Sequence, residues 1–343
     1  MIIRKYSNEK NKFNIFLALL RVYLSFDIVT SHCLNPSKFI LKYKYLKLLI
    51  KNDFHVPIFF IMSFYLCQNL FSLKNIRKIK QRFERLIIPY LIWPIIIFII
   101  NNYIIQLNLD TSFNNLKRQL ITGHCFMRVL WFQYDLIFTT LLFTICEFFF
   151  FKMSFFLLIN LFIFSYFFQY SKLNYEIFKI YSISLKYPLG RFLEILPFSV
   201  TGYIIAFFEI KIFLIKYRKI TLYLLLLLFI FIIKFQILIN IKGFGYQGFY
   251  LLIASSIIFL KALILPLEKV SNKCIINIIK LIANKTTGIY FLHIIVYNYL
   301  KKFIKLIKYR TFYGCIIIYI ISYFICCLGI KLLGKTKFRN LFQ

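Results

Sequence analysis

Acidic side chains are scarce in this chain: 11 Asp and Glu stand against 44 Lys and Arg in 343 residues, and charged residues of both signs make up only 16%. With 61% of residues hydrophobic and a mean hydropathy of +0.77, a soluble domain would lack the polar surface to cover its core. That excludes a cytosolic enzyme and a disordered chain, and it leaves a protein whose solvent is largely lipid. Glycine and proline are also few, 10 and 7. No Gly, Pro or Ser linker and no internal repeat divides the sequence, so residues 1–343 read as a single membrane-embedded domain. The eight cysteines, at 33, 67, 125, 146, 274, 315, 326 and 327, form no CxxC pair and no metal spacing. Most lie in apolar runs, where a thiol acts as a small hydrophobe, so neither a disulfide framework nor a metal site is predicted.

The surplus of basic residues, net +33, comes with inflated Ile, Asn, Phe and Tyr, the pattern of an A+T-rich coding sequence. Part of the charge is therefore compositional background. The rest suits membrane lipids with anionic headgroups and acidic ligands, and nucleic acid is not a predicted partner.

What the sequence has in abundance is long apolar stretches. Crossing the hydrocarbon core takes about twenty residues at about 1.5 Å each. Ten stretches qualify, near 13–34, 54–71, 86–106, 129–151, 153–170, 189–209, 220–239, 247–267, 286–305 and 312–332. The predicted fold class is thus all-α, a polytopic integral membrane protein of about ten transmembrane helices with its spans within about 13–332. Only Lys152 and its neighbours separate the fourth stretch from the fifth. An even number puts both termini on one side. Outside these stretches, more Lys and Arg lie on the side of the termini than on the other, with the densest cluster at Lys74, Arg77, Lys78, Lys80, Arg82 and Arg85. This bias predicts cytoplasmic termini in a cell (inner or plasma) membrane. Met1–Lys12 is polar and the run after it lacks a small-residue cleavage site, so it reads as a first span rather than a signal peptide.

Ionisable residues inside such stretches are costly and mark function. The first stretch carries Arg21, Asp27 and His32. Eleven residues at about 100° each bring Arg21 and His32 within about 20° of the same face, about 16 Å apart along the axis. Ser25 shares that stripe, while Asp27 lies about 140° away from His32. One wall of the helix thus carries a cation, a hydroxyl and an imidazole, and reads as the lining of a polar channel. The competing reading is a snorkelling Arg21 and an interfacial His32.

Four further segments follow in order: Asp53 to Tyr65, reading DFHVPIFFIMSFY; Arg82-Phe83-Glu84-Arg85-Leu86-Ile87-Ile88-Pro89-Tyr90; Val129-Leu130-Trp131-Phe132-Gln133-Tyr134; and Gly288-Ile289-Tyr290-Phe291-Leu292-His293. Together with the Arg21-x10-His32 pair, they make the chain resemble the membrane acyltransferase 3 family, which moves acetyl or related acyl groups onto carbohydrate hydroxyls. The resemblance spans about residues 13–330. One departure is plain. Where the family has Ser-Gly-Phe or Ser-Gly-Tyr, this chain has Ser63-Phe64-Tyr65, which removes a glycine that would allow close helix approach.

The resemblance implies an acyltransferase that uses acetyl-CoA as acyl donor and a carbohydrate or lipid-linked glycan as acceptor. It implies His32 and Arg21 as the catalytic pair, Arg82 and Arg85 as donor-binding residues, and Ser63, Tyr65, Trp131 and His293 as substrate-binding residues. The chemistry agrees. A neutral imidazole, with an ordinary pKa of about 6.5, can take the hydroxyl proton at pH 7. Arginine forks hold phosphates well, and Arg82 and Arg85, three apart, share a helix face on the cytoplasmic side, where acetyl-CoA resides. The thioester arm of coenzyme A spans about half a bilayer, enough to bring an acetyl carbon from there toward His32. Simpler roles compete: topological anchors for the two arginines, an interfacial anchor for Trp131, and a packing histidine between Tyr290 and Tyr297 for His293. Arg191 and Glu194, one turn apart, read as an internal ion pair, and His124-Cys125 lacks partner ligands. Asp135, Glu147, Lys234 and Lys261 carry no assigned role.

A carrier or flippase without chemistry would share ten helices and a polar stripe, but would be expected to show interrupted helices in matched halves, and no such symmetry is present. A membrane glycosyltransferase or polymerase would need a long extramembrane loop, and no loop exceeds about twenty residues.

Overall fold

The computed structural model describes residues 15–33, 54–72, 75–104, 109, 111–123, 125, 127, 130–149, 154–170, 183–210, 216–239, 249–265, 273–303, 312–333, 336, 338, 341 and 342. Met1–Lys12, Asp53, Lys74, His124, Val129 and Lys152 lie outside them. Among the described residues all regular structure is helical. The helices are α1 (Ile15–Cys33), α2 (His55–Ser72), α3 (Ile76–Ile99), α4 (Phe113–Thr122), α5 (Leu130–Phe149), α6 (Ser154–Tyr170), α7 (Ile183–Phe207), α8 (Arg218–Ile239), α9 (Phe249–Ile264), α10 (Lys273–Ala283), α11 (Thr286–Phe303) and α12 (Phe312–Leu333).

Each of the ten apolar stretches falls on one of these helices, and the fourth and fifth are separate ones, α5 and α6. Five described helical segments are long and apolar enough to cross a membrane: Ile15–Cys33, Ile76–Tyr103, Leu130–Phe149, Gly190–Phe207 and Tyr313–Leu333. A sixth arises if Lys273–Ala283 and Thr286–Leu300, bent by 61° across a short break, make one span. Two helices fall outside the ten stretches. Both α4 and α10 carry apolar and polar residues on opposite sides, the pattern of helices that lie along an interface rather than through it.

The packing of α2 answers the missing glycine. Phe64, in the family's glycine position, is fully buried and sits 4.6 Å from Phe143 of α5, centroid to centroid. Close approach comes instead from the partner helix. At Gly202 of α7 a Cβ would lie 2.1 Å from the Ile61 carbonyl oxygen, so only glycine fits where α7 crosses α2.

Helix α3 is polar in its first turns and apolar afterwards, and it contains Pro89 and Pro94, both buried. Each proline removes a backbone donor, so tertiary packing of Tyr90, Trp93 and Ile97 holds the helix. A single π-helical turn, Ile100–Ile104, ends it. There the Asn101 side chain donates to the Leu109 carbonyl at 2.9 Å and accepts from the Leu109 amide at 3.2 Å, closing the connection toward α4. The far end of the chain returns to the same helix. Trp93 donates to the Leu341 carbonyl at 3.3 Å, and the Phe342 ring meets Trp93 edge-on at 5.7 Å. Phe342 fills space left by Gly288 of α11 and Gly329 of α12, where an added Cβ would stand 2.7 Å from it.

Candidate active site

A cavity of about 730 Å³ opens among α1, α2, α3, α5 and the start of α11. It gathers Arg21, Ser63, Arg82 and Arg85, four of the residues singled out in the sequence, with Gln133, Thr286 and Tyr290 beside them. The Arg82 guanidinium is fixed on three sides: Nε donates to Thr140 at 3.1 Å, Nη1 to the Cys67 sulfur at 2.8 Å and Nη2 to Ser63 at 2.9 Å. It also stands 5.3 Å from the centre of the Phe64 ring. These partners are neutral, so the group keeps its charge while losing its freedom. Arg85, one turn on, is exposed at the rim. Arg21 reaches from α1 to Thr286 at 3.4 Å. Thr286 opens α11 directly after the bend from α10, so the positive end of a helix borders the cavity alongside three guanidinium groups. Such a cavity attracts an anion, and its size lies in the upper part of the ordinary range for ligand sites.

The stripe on α1 continues as the helical wheel requires, but its members face different neighbours. Ser25 is buried and shares a hydrogen bond of 2.8 Å with Tyr319 of α12, so it is a packing contact rather than channel lining. His32, exposed in the last turn, has its ring centre 5.4 Å from that of His293, tilted by 30°. His293 is fully buried on α11, and its Nδ1 lies 3.2 Å from the Ile289 carbonyl oxygen. Tyr290, one turn before His293 and 6.2 Å from it by ring centres, lines the cavity. The arginine cavity and the histidine pair are thus joined through a single turn of α11.

Among the described residues Tyr65, Trp131, His32 and His293 do not line this cavity. Tyr65 points to α9, edge-on to Phe259 at 5.2 Å. Trp131 lies under Arg191, whose guanidinium carbon is 5.5 Å from the ring centre and whose Nη2 donates to the Thr122 carbonyl at 2.9 Å. Its neighbours Phe132 and Gln133 take the cavity positions, and Gln133 donates to the Leu86 carbonyl at 2.9 Å. Arg191 also stands within electrostatic reach of both Asp135 and Glu194. Both carboxylate oxygens of buried Asp135 lack a hydrogen-bond partner among the described residues. Glu147, also buried, accepts from the Tyr203 hydroxyl across α5 and α7.

Two features were not anticipated from the sequence. Asp27, off the Arg21 stripe, accepts from His55 Nδ1 at 3.1 Å, pairing α1 with the start of α2. The signal was present as an intramembrane carboxylate, but its partner is 28 residues away. Thr286, the Arg21 partner, was legible only as a hydroxyl before an apolar run. Three histidines, His32, His55 and His293, therefore gather at one end of the bundle, since His293 lies within electrostatic range of the other two. Among the described residues no set of three or more His, Cys, Asp or Glu is arranged to hold a metal.

Apolar helices of spanning length around a cavity bordered by three guanidinium groups define a helical membrane protein. The sequence pattern of the acyltransferase 3 family, described as an acyltransferase domain, matches residues 14–331. The chain belongs to that family and is an acyltransferase, which removes the carrier without chemistry from consideration. Comparisons with curated proteins and with solved structures give no match.

Proposed function

We infer that the protein is a membrane O-acyltransferase that moves an acetyl or related acyl group from cytoplasmic acetyl-CoA to a hydroxyl of a cell-surface polysaccharide or lipid-linked sugar. The observation that carries this reading is the convergence of Arg21, Ser63, Arg82 and Arg85 on one cavity, joined through Tyr290 to the His32 and His293 rings. In this reading the chain crosses a cell membrane ten times with both termini cytoplasmic, and the Arg82–Arg85 end of the cavity opens to the cytoplasm.

The guanidinium groups of Arg82 and Arg85 bind the phosphates of the donor, and Arg21, on the same helix as His32, supplies a further fixed cation along the donor's path toward it. His32 takes the proton from the acceptor O–H, the freed electron pair forms the new C–O bond at the acyl carbon, and the C–S bond breaks. His32 then returns the proton to the departing thiolate, giving ester and free coenzyme A. His293 stands beside His32 on the acceptor's side, away from the phosphates.

The test is transfer by the purified full chain in detergent from labelled acetyl-CoA to a panel of p-nitrophenyl glycosides, together with mass spectrometry of surface glycans from cells with and without the protein. Label on a glycoside and a gain of one acetyl mass on a glycan support the reading. Label retained only in coenzyme A, with unchanged glycan masses, overturns it.

A further inference from the structure

The surroundings of His293 specify which of its ring nitrogens carries a hydrogen. Its Nδ1 lies 3.2 Å from the Ile289 carbonyl oxygen, an acceptor only, so Nδ1 carries the hydrogen and donates it. A neutral ring with hydrogen on Nδ1 has a lone pair on Nε2. That Nε2 is buried and has no hydrogen-bond partner among the described residues. A buried acceptor left unsatisfied is costly, and such costs persist where function needs them.

The neighbour that can satisfy it is His32. Two imidazoles sharing an N–H···N bond of about 3 Å have ring centres about 5 Å apart, because each nitrogen lies about 1.1 Å from its ring centre. The His32 and His293 centres are 5.4 Å apart and the planes differ by 30°, so a small rotation of either ring completes the bond. His32 sits on the last turn of α1 and is exposed, whereas His293 is fixed inside α11. The exposed ring therefore adjusts to the buried one.

We propose that His293 is a positioning residue for the acyl transfer: its Nε2 accepts the N–H of His32 and so fixes which nitrogen of His32 faces the acceptor hydroxyl with a lone pair. This rests on the reading of His32 as the base. When His32 takes the hydroxyl proton it carries two N–H groups, one held by His293 and the other directed at the thiolate that receives the proton. The imidazolium is thus stabilised in place without proton transfer to His293, and the Nδ1–H of His293 stays on Ile289 throughout. The arrangement does what a carboxylate does behind a catalytic histidine, with a neutral acceptor in its place.

Two measurements test this on the full chain. In nanodiscs containing ¹⁵N-imidazole-labelled protein, His293 is expected as the Nδ1–H form, and its Nε2 resonance is expected to shift in His32→Ala. A His293 ring protonated on Nε2 and not Nδ1, or an Nε2 resonance unmoved by His32→Ala, overturns the proposal whether or not transfer is detected. In the transfer assay, His293→Leu is expected to lower kcat about 10–100-fold at unchanged donor KM, as loss of an orienting partner does. His293→Gln, which keeps an acceptor oxygen, is expected to recover most of that loss. A loss confined to KM, or no recovery in His293→Gln beyond His293→Leu at equal protein abundance, points to a merely structural or binding role and overturns it. The two readings fail differently: full kcat in His293→Leu with an inactive His32→Ala removes this inference alone, whereas full kcat in His32→Ala removes the base assignment and this inference with it.

Discussion

Arg82 on α3 and Arg191 on α7 each carry a guanidinium into the helical bundle, yet they keep different company. Arg82 donates from all three nitrogens to Thr140, Cys67 and Ser63, all neutral, and borders a cavity. Arg191 stacks over Trp131, donates to the Thr122 carbonyl and lies in the field of Asp135, while its Nε and Nη1 are buried without a hydrogen-bond partner among the described residues. A cation fixed by neutral groups retains its charge for a ligand, whereas a cation beside a carboxylate is balanced within the protein. The first arrangement suits binding and the second suits holding helices together. The same contrast runs along α11, whose first turn faces guanidinium groups at Thr286 and whose third reaches the paired imidazoles at His293.

Four substitutions break or sharpen this contrast. The largest effect is expected for His32→Ala, which should leave the protein inserted and abundant while reducing transfer about 10²–10⁴-fold, the usual worth of a positioned base. Initial rates at saturating donor measure it. Next, Arg82→Ala with Arg85→Ala should remove up to about 3–6 kcal/mol of donor binding, at about 1.5–3 kcal/mol for each charge-assisted contact. Titration of labelled acetyl-CoA reads this as a rise in donor KM, and an unchanged KM would make both arginines topological anchors. Arg191→Ala should do the reverse, leaving donor KM as it is but lowering the thermal midpoint, because the Trp131 ring and the Thr122 carbonyl lose their partner, at a cost of about 1–3 kcal/mol. A raised donor KM in Arg191→Ala would erase the distinction. The smallest effect belongs to Asp27→Asn, since the amide oxygen still accepts from His55. Its stability should fall by about 1 kcal/mol, with transfer close to wild type.

The helices were legible because uninterrupted apolar runs leave the chain no other economical state in lipid, and each stretch read from hydropathy falls on a helix. Periodicity put Arg21 and His32 on one face of α1, yet only Arg21 lines the cavity, which it shares with Arg82, Arg85 and Ser63. What failed to show in sequence is what faces each residue across helices. Trp131 reads as a cavity wall until Arg191 of α7 is seen covering it. Asp27 was correctly placed off the stripe, but nothing local identifies His55 as its partner. The replacement of a family glycine by Phe64 raised a packing problem whose answer, Gly202, lies on another helix. Lines of sight between helices depend on crossing geometry, which no single stretch encodes. Hydropathy along the chain also misses α4 and α10, short helices whose apolar and polar residues lie on opposite sides.

The docking of Leu341 and Phe342 against α3 bears on the order of biosynthesis. Trp93 and Leu341 are separated by 248 residues, so their contact is among the most remote in the chain. Ribosomal synthesis releases α3 to the membrane long before α11, α12 and the residues after them exist. The slot formed by Trp93, Gly288 and Gly329 therefore stays unfilled until α11, α12 and the residues that follow them have been made, so α3 must be held meanwhile by its other neighbours.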